Sequence, residues 1–436
     1  MSLALELNDS RQEQEDEVQE EVFETGGIVL PDRCIELIVH KNGILRLLDS
    51  RRKRGKESIK TGGRTYVPLN LHISVLDAMT LPVGRAPSGS TADLIEAIRK
   101  VFADNGIFDP AARLLAYFAV STWFSEFLSV APTLVITGSQ AESRIVLDLL
   151  ACVVRHAFPL AELSVAAFRC LRMHVQPTLL ISHVPSGSWR LLSASSHHSA
   201  NLPYKDGVID LFCAKAVYAG TNRRDGGYDE PVLSINLPPF RRNLPVVRAA
   251  TLQKITANFQ PRLLDYRLKY FAHVRDSDFD APEFESNLRV VARALGSCIV
   301  DAPELQAGVP PLLEGQQEVV RANRWIDPQC IAIEALLEHS HIDHEPRRVG
   351  VGELADAATA ILARRGETSV SKAKEVGNQL RQLGFYPKRD SQGYAIVLNE
   401  EVRRQIHSLA RDYNVAAEEQ AVKSCSHCAE IVAAQN

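Results

Sequence analysis

Residues 131–150 read APTLVITGSQAESRIVLDLL. An unbroken apolar run, Thr133 to Thr137, meets Gly138 and gives way to a segment whose apolar residues recur at helical spacing. A strand that is apolar on both faces is buried on both faces, as in a parallel sheet covered by helices. Working outward, similar runs return as PTLLISH (177–183), AKAVYAG (214–220) and PVLSINL (231–237), with a helical segment over 141–156 after the first. Strand–helix alternation of this kind predicts an α/β domain, assigned to residues 91–245. Residues 246–338, including LLDYRLKYF (263–271), read as a helical lid.

The flanks have a different character. Residues 1–24 hold nine acidic residues and one arginine, so they read as a disordered acidic tail. Residues 25–79 form a small β-rich module, with strand composition at Ile35–Val39 and Tyr66–Leu69. Between those runs, Lys41 to Arg64 contains nine basic and two acidic residues, a solvated loop or a phosphate-contacting one. TLPVGRAPSGS (80–90) reads as a linker. Apolar Leu94, Ile95, Ile98, Val101 and Phe102 share one helical face, and Asp109-Pro110 starts a second helix running to Leu128.

Composition narrows the class. The chain has 436 residues, 45% hydrophobic and 23% charged, with a net charge of −4. That excludes a wholly disordered or fibrous chain, and a protein that coats nucleic acid through bulk positive charge. Leu114 to Thr137 is interrupted by Glu126 and Pro132, so no membrane partner is expected. The eight cysteines sit mostly in apolar runs and the N-terminus lacks a signal-peptide pattern, so a reducing, cytoplasmic location is expected.

After HSHIDHEPRR (339–348), read as a linker, residues 349–415 show two helices, a hairpin and a helix. Leu354, Ala357, Ala358, Ile361 and Leu362 line the first helix; Ala373, Val376, Gly377, Leu380 and Leu383 line the second, predicted over 371–383 with Ser369 or Ser371 as cap. Gly384 ends it, Tyr386 to Leu398 turns at Gly393, and Val402, Ile406, Leu409, Ala410 and Tyr413 line the last helix. This order is that of a winged helix-turn-helix, whose second helix enters the major groove. Lys374, Asn378 and Arg381 fall opposite its apolar face, Lys372 lies at its start, and Lys388 and Arg389 open the hairpin. Arginine and asparagine can read base edges and lysine suits phosphates, so these six residues are the predicted DNA contacts. The run GNQLRQLGFYPKRDSQGYAIVL resembles the winged-helix module appended to mobile-element replication and regulatory proteins.

A phosphate-binding loop needs a strand, the pattern G-x-x-x-x-G-K-S/T and a helix N-terminus. Here Gly138 holds the first glycine position, while Ser143, Arg144 and Ile145 replace Gly, Lys and Ser/Thr, before a helix expected from Val146. Strand 177–181 ends in Ser182-His183 where a Mg²⁺-binding acidic pair would stand; the next strand ends in Thr221-Asn222, followed by Arg223 and Arg224. The order of elements over roughly residues 95–335, with runs such as Leu264-Asp265-Tyr266-Arg267-Leu268, resembles the P-loop ATPase core of the AAA+/superfamily 3 helicase-like type found in replication proteins of mobile elements. The resemblance implies ATP with Mg²⁺, ring-shaped homo-oligomers and DNA translocation. The missing Lys, hydroxyl and acidic pair remove the charge stabilisation of phosphoryl transfer.

The expectation is therefore a non-enzymatic DNA-binding or regulatory protein on a degenerate ATPase scaffold, without a cofactor. Vestigial nucleotide contacts are assigned to Gly138, Ser143, Arg144, Asn222, Arg223 and Arg224. Two alternatives stay open: an ATP-binding, weakly hydrolysing ATPase, and a protein-interaction scaffold. In the tail, 416–436, Cys425-Ser426-His427-Cys428 supplies two or three zinc ligands where a structural site wants four. Completion would come from a second chain or from His339, His341 or His344; the expectation is no metal site and a simple thiol pair at Cys425 and Cys428.

Overall fold

A computed structural model of the chain describes residues 21–40, 42–171, 173–204, 207–220, 231–238, 247–341, 347–413, 415, 425 and 428. The chain divides into two compact units, 1–314 and 315–436.

The first unit begins with strands β1 (Val22–Thr25), β2 (Gly27–Leu30), β3 (Arg33–Val39), β4 (Leu45–Asp49), β5 (Ile59–Thr61) and β6 (Arg64–Pro68), then helix α1 (Ile73–Ala78). They make two three-stranded sheets, β2-β3-β4 and β1-β6-β5. The expected tail therefore ends earlier than 24, because β1 pairs in parallel with β6 from Val22 onward. Residues 1–20 lie outside the described residues. Arg51 of the basic run pairs with Asp32.

Helices α2 (Thr91–Ala103) and α3 (Asp109–Ser121) follow, and a 3₁₀ segment, Thr122–Phe127, takes the place of the predicted end of the second helix. Ser90 caps α2 by accepting from the Asp93 amide at 3.1 Å. Its predicted apolar face, Leu94, Ile95, Ile98, Val101 and Phe102, is buried. The preceding segment 80–90 is pinned down: Arg85 pairs with Asp265, and the Ser88 amide donates to Asp265 Oδ2 at 2.9 Å.

The α/β region comprises β7 (Thr133–Gly138), α4 (Gln140–Val153), β8 (Ala157–Leu160), α5 (Val165–Phe168), β9 (Thr178–Ile181), α6 (Trp189–Ala194), a β10–β11 hairpin (Asn201–Tyr204 and Gly207–Asp210), β12 (Lys215–Tyr218) and β13 (Leu233–Leu237). The four apolar runs of the sequence join β8 in a five-stranded, all-parallel sheet of order β13-β7-β12-β9-β8. Leu134, Val135, Ile136, Leu179, Ile181, Ala216 and Val217 are essentially inaccessible. Each large apolar side chain buried this way contributes about 1.5–3 kcal/mol. Helices α7 (Ala249–Arg275), α8 (Ser286–Gly296), α9 (Pro303–Ala307) and α10 (Val309–Trp325) complete the helical part. Among the described residues, no helix is long and apolar enough to cross a membrane.

The first unit also seals a charged cluster. Glu36 on β3 is inaccessible and accepts from Arg155 Nη2 at 2.9 Å and from Arg267 of α7. Arg267 also pairs with Glu126, and His156 Nε2 lies 3.0 Å from Glu36 Oε1. Gly27 borders this cluster at φ 149°, and a Cβ there would stand 2.9 Å from both Arg155 Nη2 and Glu36 Oε1. Burial alone would raise the Glu36 pKa, but Arg155 and then Arg267 outweigh it and hold the carboxylate well below its ordinary range.

The second unit contains α11 (Pro328–Ser340), β14 (Arg347–Gly350), α12 (Val351–Arg364), α13 (Ala373–Gln382), β15 (Lys388–Asp390), β16 (Gly393–Leu398) and α14 (Glu400–Asp412). The strands form an antiparallel sheet of order β14-β16-β15. Asp327 caps α11 and Asn399 caps α14. Ile331, Ile333 and Leu336 of α11 share one core with Leu354, Ile361, Leu380, Ile396, Leu398 and Ile406. The last helix assigned to the lid, 246–338, thus packs into this unit. The predicted linker 339–348 begins as the end of α11 and finishes as β14.

Candidate functional site

Of the residues singled out as a vestigial nucleotide site, the three described ones, Gly138, Ser143 and Arg144, do not form a loop. Strand β7 ends at Gly138 and α4 begins at Gln140, leaving Ser139 alone between them. Ser143 and Arg144 therefore lie within the helix, not ahead of it. Gly138 has φ +97°, and a Cβ there would stand 2.2 Å from the Leu237 carbonyl oxygen. The Ser139 amide donates to Leu237 O at 2.9 Å, the Ser143 amide to Ser139 O at 3.1 Å, and Tyr218 Oη to Gly138 O at 3.0 Å. A phosphate cradle needs several amides aimed at one point. Here the turn is closed onto β13, and the Glu142 carboxylate takes the Ser139 hydroxyl at the helix N-terminus. The helix dipole is thus complemented by a side chain of the chain itself.

Ser143 is buried and donates to Ser139 O at 2.7 Å, while Arg144 is exposed on the helix surface. Asn222, Arg223 and Arg224 lie outside the described residues. The sequence reading erred because a glycine after a buried strand marks a tight turn without setting its length.

The predicted DNA contacts do come together in the second unit. Helix α13 buries Val376, Gly377 and Leu380, and exposes Lys374, Asn378 and Arg381 along the other side. It starts two residues later than predicted. Lys372 is its cap residue, with the Lys372 amide donating to Glu375 Oε2 at 3.3 Å, while the Ser371 amide is taken by Thr359 Oγ1 at 3.1 Å. Arg381 Nη1 donates to Asn378 Oδ1 at 3.1 Å, which joins the last two residues of the stripe.

Between α13, the β14–α12 junction and the β15–β16 hairpin runs a cleft of about 710 Å³ lined by Lys374, Asn378, Arg381, Arg348, Glu353 and Tyr394. Arg348 makes two bonds to Asp390, at 2.6 and 2.9 Å. Through that partner the Asp390 pKa is held down to about 2. Lys372, Lys388 and Arg389 are exposed at the two ends of this region. Among the described residues, Lys374, Lys388 and Arg389 enter no ion pair.

The thiol pair of the tail is not solitary. All eight cysteines are free; seven are buried and Cys170 is exposed. Cys425 and Cys428 meet His341, which caps α11, and His407, on α14. Burial, and next to it the Cys425 thiol, pushes the Cys428 thiol up to about 12. His341 was among the candidates from sequence; His407 was missed. Its one signal is a polar residue next to Ile406 on the buried face of an amphipathic helix, which sequence alone does not distinguish from a core histidine. His339 turns instead to the Ala335 carbonyl at 2.9 Å, and His344 lies outside the described residues.

No family model and no curated protein matches the chain. Among solved structures, the chain is similar to the A-form apo structure of the NrS-1 C-terminal region (305–718), at 12% identity and TM-score 0.36, covering 84% of this chain and 96% of that one. A further A-form apo structure of the same region matches at 12% identity and TM-score 0.37, with 84% and 96% coverage. A third, the apo structure of NrS-1 C-terminal region (305–718), matches at 11% identity and TM-score 0.35, with 84% and 95% coverage.

Proposed function

We propose that this chain is a non-enzymatic DNA-binding protein, in which α13 enters a duplex groove and the β15–β16 hairpin touches the flanking backbone. The observation that carries the reading is the exposed stripe Lys374, Asn378 and Arg381, lining a cleft that the β14–α12 junction and the hairpin complete. The order α12, α13, hairpin, α14 is that of a winged helix-turn-helix, with α13 in the groove-reading position. Lys374 supplies a phosphate contact, and Asn378 and Arg381 supply the donors and acceptor needed at base edges. The closed turn after β7 favours a scaffold role for the α/β region over nucleotide hydrolysis. A protein partner is the second reading; exposed Tyr386 and Val397, on either side of β15, favour it.

The test is a fluorescence-anisotropy titration of duplex DNA at several salt concentrations, with wild type and the triple variant Lys374→Ala, Asn378→Ala, Arg381→Ala. Each lost phosphate contact lowers the salt slope by about 0.9. The variant is expected to bind at least tenfold more weakly, with a slope lower by about 0.9 for the Lys374 contact. Equal binding and slope would remove α13 from the interface.

A further inference from the structure

We propose that His341, His407, Cys425 and Cys428 hold one structural zinc ion, which fastens Cys425 and Cys428 to α11 and α14. The donor atoms of all four lie within 4.8 Å of one another. His341 Nε2 is 3.2 Å from His407 Nε2 and 3.3 Å from Cys428 Sγ, and Cys425 Sγ is 3.3 Å from His407 Nε2. A zinc ion at about 2.0–2.1 Å from nitrogen and about 2.3 Å from sulfur makes a tetrahedron with edges of about 3.3–3.8 Å. The three close edges, 3.2 to 3.3 Å, lie at or just below the short end of that range and the remaining donor pairs lie within 4.8 Å, so small side-chain adjustments bring the four donors to the tetrahedron.

The tautomer also fits. His407 Nδ1 lies 2.8 Å from the Arg403 carbonyl oxygen, so Nδ1 carries the proton and the Nε2 lone pair faces the cluster. The His341 and His407 rings meet at 79°, edge toward face, with centroids 5.1 Å apart. His407, Cys425 and Cys428 are buried and His341 is half-buried. The donor set is two imidazoles and two thiols, without a carboxylate, which selects zinc over magnesium or calcium. Four protein ligands leave no open position, as in a structural site and unlike a catalytic one. Binding replaces two thiol protons by the metal, and both protons go to solvent.

The experiment uses the full chain purified under reducing conditions. Elemental analysis is expected to give one zinc per chain. Cys428→Ser and His407→Ala are each expected to lose at least nine-tenths of it, and Cys170→Ser to keep it. A second measurement avoids dependence on variant folding. Wild type, stripped by chelation and titrated with Co²⁺, is expected to develop the visible bands of tetrahedral, thiolate-bound cobalt, saturating at one equivalent and bleached by zinc. Absence of those bands in the reduced wild type would overturn the site. So would zinc retained by both Cys428→Ser and His407→Ala, or a Cys425–Cys428 disulfide in protein kept under reductant.

Discussion

Glu36 in the first unit and His407 in the second are each buried among polar side chains, but what surrounds them differs in kind. Around Glu36 the charges match: the carboxylates of Glu36 and Glu126 meet the guanidinium groups of Arg155 and Arg267. Around His407 there are lone-pair donors, two imidazoles and two thiols, whose ligand atoms lie within 4.8 Å of one another. A buried charge is tolerated when its counter-charge comes from the same chain. Converging lone pairs are relieved by a Lewis acid that the chain cannot encode. The first cluster therefore balances its charges within the fold, and the second is where we place an ion.

The largest expected effect that separates the two comes from Glu36→Ala. It strands Arg155 in the interior and leaves Arg267 with Glu126 alone, and the loss is about 3–5 kcal/mol by urea denaturation. A loss below 1 kcal/mol would mean that water reaches the cluster. Next is metal removal. With free zinc a hundredfold above its dissociation constant, chelation is expected to cost about 2.7 kcal/mol, read as a lower unfolding midpoint in wild type. Cys428→Ser should show no further shift on chelation, and an equal shift there would place the effect elsewhere.

The smallest effect is on pH dependence. The folded pKa of Glu36 is depressed, so its stabilisation is present above the unfolded carboxylate pKa of about 4.3 and is lost as pH falls through the folded value. In that window wild type should lose up to about 1.4 kcal/mol per pH unit more than Glu36→Gln. Metal ligands protonate as well, and zinc is expected to leave at a higher pH than the one at which the Glu36 contribution fades. Release of zinc only after the Glu36 step would reverse that order.

Much of the fold was legible. The buried strands at Thr133, Thr178, Lys215 and Leu233 announced themselves as continuous apolar runs, and the helix faces of α2, α12, α13 and α14 by their period. The polar stripe of α13 could be read because residues at i, i+4 and i+7 share one side of any helix. Less legible were features set by length or partnership. Only one residue separates β7 from α4, so a motif that aligned with a phosphate loop became the first turn of a helix. Glu36 sits in a strand otherwise rich in apolar residues, and nothing nearby in sequence names its partners, 119 and 231 positions away.

By itself the sequence determined the local alphabet of this protein: its strands, its helices, and the side of α13 that faces water. Those depend on periodicity within a few residues, which propensity and hydrophobic pattern encode directly. Tertiary structure alone decided which distant groups share a site. His341, His407 and Cys428 are separated by 66 and 87 positions and meet because α11 and α14 pack on one core. Such convergence depends on the packing of whole elements, and no local pattern in the chain records it.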